Sequence, residues 1–201
     1  TVFLIDKKRV MVKPTSVGKP LLHTRVRVID ENNHDVAPGT VGEVVISGPN
    51  ITPGYWNRPD ANEDSFFMDN DGNRWLRSGD AGTIDDEGCI YIVDRYKDMY
   101  ISGGENVYPA EVEQVIFQIP EVADAAVIGI PDARWGETGM AIIVVKPGCT
   151  LAQEQVVEHC AKNLAKYKVP RSVTFIEVLP RNAAGKVLKR ELRAQFIPSS
   201  T

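Results

Sequence analysis

Apolar and polar residues alternate from position 25 to 29, a period of two that predicts a half-buried strand closed by the polar run at 30–35. Residues 44–46 predict a second strand that stops at Gly48-Pro49. Thr83-Ile84 and residues 89–93 flank Asp85-Asp86-Glu87-Gly88, which is the signature of a hairpin. Between these segments, residues 50–71 are rich in Pro, Gly, Asn and Asp and predict a long surface excursion. Strands at this spacing suggest a small barrel or a twisted antiparallel sheet. The pattern changes near Asp94. Pro109 suits a first helical position, Glu111 and Glu113 favour the positive end of the helix dipole, and Val112, Val115, Ile116 and Ile119 supply an apolar face. Residues 125–130 and 140–145 read as buried strands. Residues 150–153 read as a capping box opening a helix that carries Val156, Val157 and Cys160. A strand at 173–178 and a terminal helix at 187–196 follow. The predicted fold class is α+β, with a β-rich part over 1–95 and an α+β module over 96–201, divided at 94–97.

Composition narrows the class without changing the pattern. Hydrophobic residues at 43% and charged residues at 25% of the 201 positions are ordinary globular values, which excludes wholesale disorder. The net charge of −4 argues against a surface built to grip nucleic acid. No stretch reaches the roughly 18 to 20 apolar residues of a membrane span. The opening residues place a short apolar run before a basic cluster, the reverse of a signal peptide. Cys89, Cys149 and Cys160 form no CxxC pair, so a reducing, cytoplasmic setting is expected. His23, His34 and His159 stand apart from one another, so no metal site is expected. The first residue is Thr rather than Met, and residues 2–5 read as the middle of a segment, so the chain is expected to have been cut from a longer one.

Charge is uneven. Residues 1–95 hold 11 basic and 15 acidic side chains, and residues 96–201 hold 12 of each. From Lys162 onward nine basic residues face only Glu177 and Glu191, a tail near +7. Such a tail is either a solvated basic face or an electrostatic partner for phosphate, and sequence does not separate the two.

Three polar clusters could carry chemistry. In Trp75-Leu76-Arg77-Ser78-Gly79-Asp80 an Asp behind a Ser-Gly turn can present its carboxylate to vicinal hydroxyls, although the same tripeptide is a common turn. Asp94-Arg95-Tyr96-Lys97-Asp98, followed by Ile101-Ser102-Gly103-Gly104-Glu105-Asn106, describes a hinge and then a loop whose backbone can approach a ligand. The alternative there is a surface turn with salt bridges. In the third, residues 179–187, Lys186 follows a small flexible loop from which it can reach phosphate charge. Gly185-Lys186 is not a Walker loop, because the first glycine is missing and Val187 replaces the Ser or Thr.

The ordered set of segments resembles the C-terminal portion of the acyl-adenylate-forming superfamily, and within it fatty-acyl-CoA ligases. The resemblance runs through Ser16-Val17-Gly18-Lys19-Pro20, Gly42-Glu43-Val44-Val45-Ile46-Ser47-Gly48-Pro49 and Gly54-Tyr55-Trp56-Asn57. It continues through Arg77-Ser78-Gly79-Asp80, Asp94-Arg95-Tyr96-Lys97-Asp98 and Gly103-Gly104-Glu105-Asn106-Val107-Tyr108-Pro109, then Pro131-Asp132, Gly136-Glu137 and residues 180–186. It implies two half-reactions: a carboxylic acid, a fatty acid on this reading, attacks ATP to give an acyl-adenylate, and coenzyme A then displaces AMP. By resemblance Asp80 would hold the ribose hydroxyls, Ile92 would pack on the nucleotide, and Arg95 would contact ribose or phosphate. Lys97 would be the hinge of a mobile C-terminal domain, Gly103 and Gly104 would line the pantetheine channel, and Lys186 would be the catalytic lysine of adenylation. Residues 1–95 would then be a β-rich, barrel-like remnant of a large AMP-binding domain.

The superfamily's Ser/Thr/Gly-rich phosphate loop, its aromatic-Gly-x-Thr-Glu segment and most of its acyl pocket are not found here, so these residues alone are expected to be inactive. Mg2+ would be bound mainly by that upstream part. An aryl-CoA ligase, a peptide-synthetase adenylation domain and a non-catalytic nucleotide or pantetheine binder are the alternatives. A nucleic-acid partner is disfavoured, because aromatics are not interleaved with the basic residues.

Overall fold

The computed structural model describes residues 3, 4 and 6–197. The chain divides into two compact units, Thr1–Lys97 and Asp98–Thr201.

The first unit opens with β1 (Phe3–Leu4), α1 (Lys7–Val12) and β2 (Lys19–Pro20), with β1 and β2 paired. Its main sheet contains β3 (Arg25–Ile29), β4 (Gly42–Ser47), β5 (Phe66–Met68), β6 (Arg74–Ile84) and β7 (Ile90–Arg95), all antiparallel. β4 lies between β3 and β6, and the far edge of β6 is shared by β5 and β7. The alternation along β3 becomes two packed faces. Val28, Val44 and Ile46 are buried on one, and Ile29, Val45 and Trp75 on the other. Arg25 and Arg27 lie over the Trp75 ring at 5.3 and 5.1 Å, so their charged heads cover an aromatic face. The predicted hairpin forms with Thr83 opposite Tyr91 and Ile84 opposite Ile90.

The expected long excursion at 50–71 is instead partly ordered as α2 (Pro59–Ser65) and then β5. Asn62 holds it together, its Oδ1 accepting from the Tyr55 amide and its Nδ2 donating to the Tyr55 carbonyl at 3.0 Å. Polar composition signalled a loop because the stabilising bonds run from side chain to backbone, without apolar periodicity.

Two acidic groups tie this unit together. Asp69 accepts from Trp75 Nε1 at 2.8 Å and from Asn73, which hold its carboxyl down at about 2 against an ordinary 3.8. Asp85 lies 2.6 Å from Lys13 Nζ and also accepts from the Cys89 amide and the Tyr91 hydroxyl, and its carboxyl is lowered further, first by Lys13. A depressed carboxyl stabilises the fold fully above its unfolded value and loses that contribution as pH falls through its folded value. Acid unfolding followed by circular dichroism should therefore show stability falling from near pH 3.8 toward pH 2, with a shallower fall in Asp69→Asn. An unchanged profile in that variant would remove Asp69 from the account.

The second unit contains β8 (Tyr100–Ser102), β9 (Glu105–Val107), α3 (Pro109–Ile116), β10 (Val122–Asp132), β11 (Gly136–Val145), α4 (Gln153–Asn163), β12 (Ser172–Phe175) and α5 (Lys189–Phe196). β10 and β11 pair antiparallel along nearly their whole length, and β12 adds parallel to β11. Both faces of this ribbon are covered. Ala125, Val127, Ala141 and Ile143 meet α3 and α4, while Ala126, Ile128 and Ile142 meet Leu179 and Leu192 of α5. That is why both strands read as unbroken apolar runs. β10 is an edge strand, and its Val127 amide is taken up by Glu113 Oε1 at 2.8 Å, which closes part of an open edge.

Two expectations shift in detail. The start of α4 is capped from Ala152, whose amide donates to Gln155 Oε1 at 2.8 Å, so the predicted box at 150–153 lies two residues early. The last strand ends at Phe175 rather than 178. Cys160 is fully buried on the inner face of α4, as its apolar neighbours imply, and burial pushes its thiol up to about 11.

Candidate functional site

Three of the residues singled out from sequence fall on neighbouring positions of one hairpin. In the β6–β7 register Asp80 stands opposite Arg95, and Gly82 stands opposite Ile92. Arg95 Nη1 is 3.1 Å from Asp80 Oδ1, with the side chains 44% and 30% exposed, so the pair is reachable from solvent. Ile92 is 38% exposed, a large apolar group left uncovered beside them.

A bulge interrupts the β4 pairing just before Ala81, while Asp80 stays paired to β7. On the β4 side the register jumps from Glu43–Ala81 to Val45–Arg77, so residues 78–80 stand against Val44 alone, two more than a regular ladder holds. Gly79 takes φ +69°, the left-handed region that glycine enters cheaply. Ser78 fixes the shape: its hydroxyl donates to the Val44 carbonyl at 2.6 Å and accepts from the Asp80 amide at 3.1 Å. Underneath, Arg77 Nη1 meets the buried Glu43 carboxylate at 2.6 Å. In sequence Glu43 shows only as an acid entering an apolar strand within the Gly42–Pro49 segment, with no role attached.

Lys97 is exposed in the short 3-10 turn Tyr96–Asp98 that closes the first unit. Asp98, the first residue of the second unit, is held there by Arg193 of α5, with Nη1 3.1 Å from Asp98 Oδ1. Nothing in local sequence announces that partnership.

Gly103 and Gly104 are the two-residue turn between β8 and β9, with Ser102 opposite Glu105. Both have positive φ, +63° and +87°, as a tight hairpin turn of this length requires. The two glycines differ in surroundings. A Cβ on Gly103 would sit 2.5 Å from the Trp135 ring, whereas one on Gly104 meets nothing within 4 Å.

Lys186 is also on a turn, and the turn is closed rather than loose. Arg181 bridges Val187, and Asn182 Oδ1 accepts from the amides of Ala184 and Lys186 at 3.0 and 2.9 Å. The Lys186 side chain is exposed, and its ammonium forms no ion pair with a described residue. Most of the basic tail behaves differently. Lys162 pairs with Glu158, Lys168 with Glu111, Arg181 with Asp124, Lys189 with Glu113 and Arg193 with Asp98. The +7 tail is thus largely neutralised inside its own unit, which removes most of its value as a general phosphate magnet. Arg171 is turned to the Trp135 ring at 4.9 Å.

Among the described residues no group of three or more His, Cys, Asp or Glu side chains is placed to hold a metal ion. No helix is long and apolar enough to cross a membrane.

Residues 1–56 match the family model for AMP-binding enzymes, and residues 111–186 match that for the AMP-binding enzyme C-terminal domain. The chain belongs to the AMP-binding enzyme family. It is 45% identical over 195 residues to a feruloyl-CoA synthase of Amycolatopsis sp, covering 97% of this chain and 39% of that protein. It is 48% identical over 184 residues to the long-chain-fatty-acid–CoA ligase FadD13 of Mycobacterium tuberculosis, covering 92% of this chain and 35% of that one. Among solved structures, the o-succinylbenzoate CoA synthetase (MenE) of Bacillus subtilis, in complex with its acyl-adenylate intermediate OSB-AMP, matches with a TM-score of 0.86 and 38% identity. That match covers 96% of this chain and 38% of the synthetase. The chain therefore spans well under half the length of these relatives.

Proposed function

We propose that this chain is the C-terminal part of an AMP-forming carboxylate–CoA ligase. The observation that carries the reading is the convergence of Asp80, Arg95 and Ile92 on one hairpin, with Asp80 at the end of the bulge at 78–80. A carboxylate accepts hydrogen bonds, so Asp80 suits the two hydroxyls of a ribose. Arg95 orients that carboxylate and leaves guanidinium N–H groups for a phosphate or ribose oxygen. Ile92 supplies apolar surface for a flat base. Lys186 brings a point charge to the α-phosphate and the attacking carboxylate during adenylation. Lys97 serves as the pivot between the units, and the turn at Gly103–Gly104 offers backbone without side chains to the pantetheine arm. ATP and coenzyme A are co-substrates, and Mg2+ is held by residues upstream of this chain.

Similarity to FadD13 supports a fatty acid as the carboxylate, and similarity to the feruloyl-CoA synthase supports an aromatic acid. The fatty-acyl reading is our first choice. The test is acyl-CoA formation by the full-length protein with long-chain fatty acids, ferulate and 2-succinylbenzoate side by side. Saturating turnover on fatty acids supports that choice, and exclusive turnover on either aromatic acid replaces it. The 201-residue chain alone should show no carboxylate-dependent pyrophosphate exchange. Clear exchange would overturn the division of labour proposed here.

A further inference from the structure

The hairpin that carries Gly103 and Gly104 is packed at its base, where Tyr100 and Val107 are buried in the core, but its tip is lightly bonded to the sheet. Each of its strands is three residues long, and hairpins of that size are at best marginally stable unless packed or paired further. Its ladder to the rest of the sheet consists of a single position, Ser102 opposite Gly136 of β11. Two further backbone amides of β8 and the turn bond to the segment around Gly136. The Gly103 amide donates to the Trp135 carbonyl at 2.9 Å, and the Ile101 amide donates to Glu137 Oε2 at 3.1 Å.

The second bond is unusual, since a side-chain carboxylate stands where the next strand would offer a backbone carbonyl. Glu137 is itself confined. It lies opposite Pro131 of β10, and its Oε1 is 3.1 Å from where a Cβ on Gly129 would sit. Gly129 also leaves room for Tyr100, whose Cβ would collide with any side chain there. Trp135 in turn is held from below, because Asp132 Oδ1 accepts from the Arg134 and Trp135 amides at 2.9 Å each. The turn at 132–136 is therefore a firm base, and Glu137 extends it to the hairpin.

We propose that Glu137 is a positioning residue: its carboxylate anchors β8 through the Ile101 amide and so sets where the Gly103–Gly104 tip lies for the coenzyme A half-reaction. This rests on the ligase reading above, in which that tip faces the pantetheine arm. The residue acts only through the hairpin, so adenylation, which uses Asp80 and Lys186, does not depend on it.

Glu137→Gln and Glu137→Ala in the full-length protein provide the test. Glutamine retains a carbonyl acceptor for the Ile101 amide, and alanine removes it. In Glu137→Ala, thioester formation from a presynthesised acyl-adenylate should fall about tenfold in kcat, the scale of one lost hydrogen bond, while pyrophosphate exchange stays within about twofold. Glu137→Gln should restore thioester formation to within about threefold of wild type. Hydrogen exchange at the Ile101 amide should quicken about tenfold in the alanine variant and not in the glutamine variant. Unchanged exchange at Ile101 in Glu137→Ala overturns the anchor. Equal losses in both half-reactions overturn the positioning role and leave general destabilisation. If the wild-type protein forms no acyl-adenylate, the ligase reading fails, and the Ile101 measurement still decides the anchor.

Discussion

Replacing Lys186 with alanine in the full-length protein should lower carboxylate-dependent pyrophosphate exchange by about 10²- to 10³-fold, the scale of about 3 kcal/mol for losing one preorganised contact to transition-state charge. Thioester formation from a presynthesised acyl-adenylate should be nearly unaffected. The expectation follows from where the lysine sits. Asn182 Oδ1 fixes the turn beneath it, so the stem leaves from a defined point, and its ammonium is not committed to any described carboxylate. Neighbouring cations cannot substitute, because Arg181 and Lys189 are spent on Asp124 and Glu113. Arginine at 186 should rescue little, since a planar fork does not reproduce a compact point charge on a flexible stem. Pyrophosphate exchange at the wild-type rate in Lys186→Ala would remove the residue from the chemistry.

Gly103→Ala and Gly104→Ala should part company, although the two residues adjoin and read alike in sequence. Both substitutions place an L side chain at positive φ, a cost of about 1–2 kcal/mol. At Gly104 that is the whole cost, because a Cβ there meets open space. At Gly103 the new methyl falls 2.5 Å from Trp135 Cε3 and 2.8 Å from Cζ3. The ring cannot retreat freely, because the turn that carries it is bonded to Asp132 and Arg171 and Arg134 lie 4.9 and 5.1 Å from its centre. Overpacking of this kind adds about 1–3 kcal/mol, so Gly103→Ala should cost about 2–5 kcal/mol in all. Thermal unfolding should show a clear drop for Gly103→Ala and a small one for Gly104→Ala. Equal shifts would mean that Trp135 yields, and that the glycine at 103 is kept for another reason.

Much of this architecture is legible from residue order because its causes are local or periodic. The two-residue period from Arg25 to Ile29 and the apolar runs in β10 and β11 follow directly from which faces are covered. Helix α3 is legible from Pro109 and the spacing of Val112, Val115 and Ile116. The segment at 50–71 lies on the surface as its composition implies, but its internal order was not legible, because Asn62 supplies it by bonds to the Tyr55 backbone that leave no apolar pattern. The motif at 77–80 flagged Asp80, yet the bulge that presents it needs the β4 register, which only the folded sheet supplies. Sequence leaves the role of the tail open because its partners are remote: Lys168 and Arg181 each lie 57 residues from the acid they meet, and Arg193 lies 95 residues from Asp98. Glu137 enters the sequence reading only within the Gly136-Glu137 segment, with no role attached. Its task depends on a hairpin whose other end is 36 residues away.

Those remote ion pairs join segments that a ribosome makes at different times. Residues 98–161 hold ten acidic side chains and only two basic ones, so a ribosome that has just made them presents a strongly anionic segment that repels itself. Glu111, Glu113, Asp124 and Asp98 then wait for Lys168, Lys189, Arg181 and Arg193, all made later. The last of these reside on α5, whose Leu192 also fills the core against Ile128 and Ile142. The closing stretch of the chain therefore acts as an internal counterion and a plug at once. Without residues 162–197 the second unit would lack both the cations that pair its acids and the Leu192 side chain that fills its core.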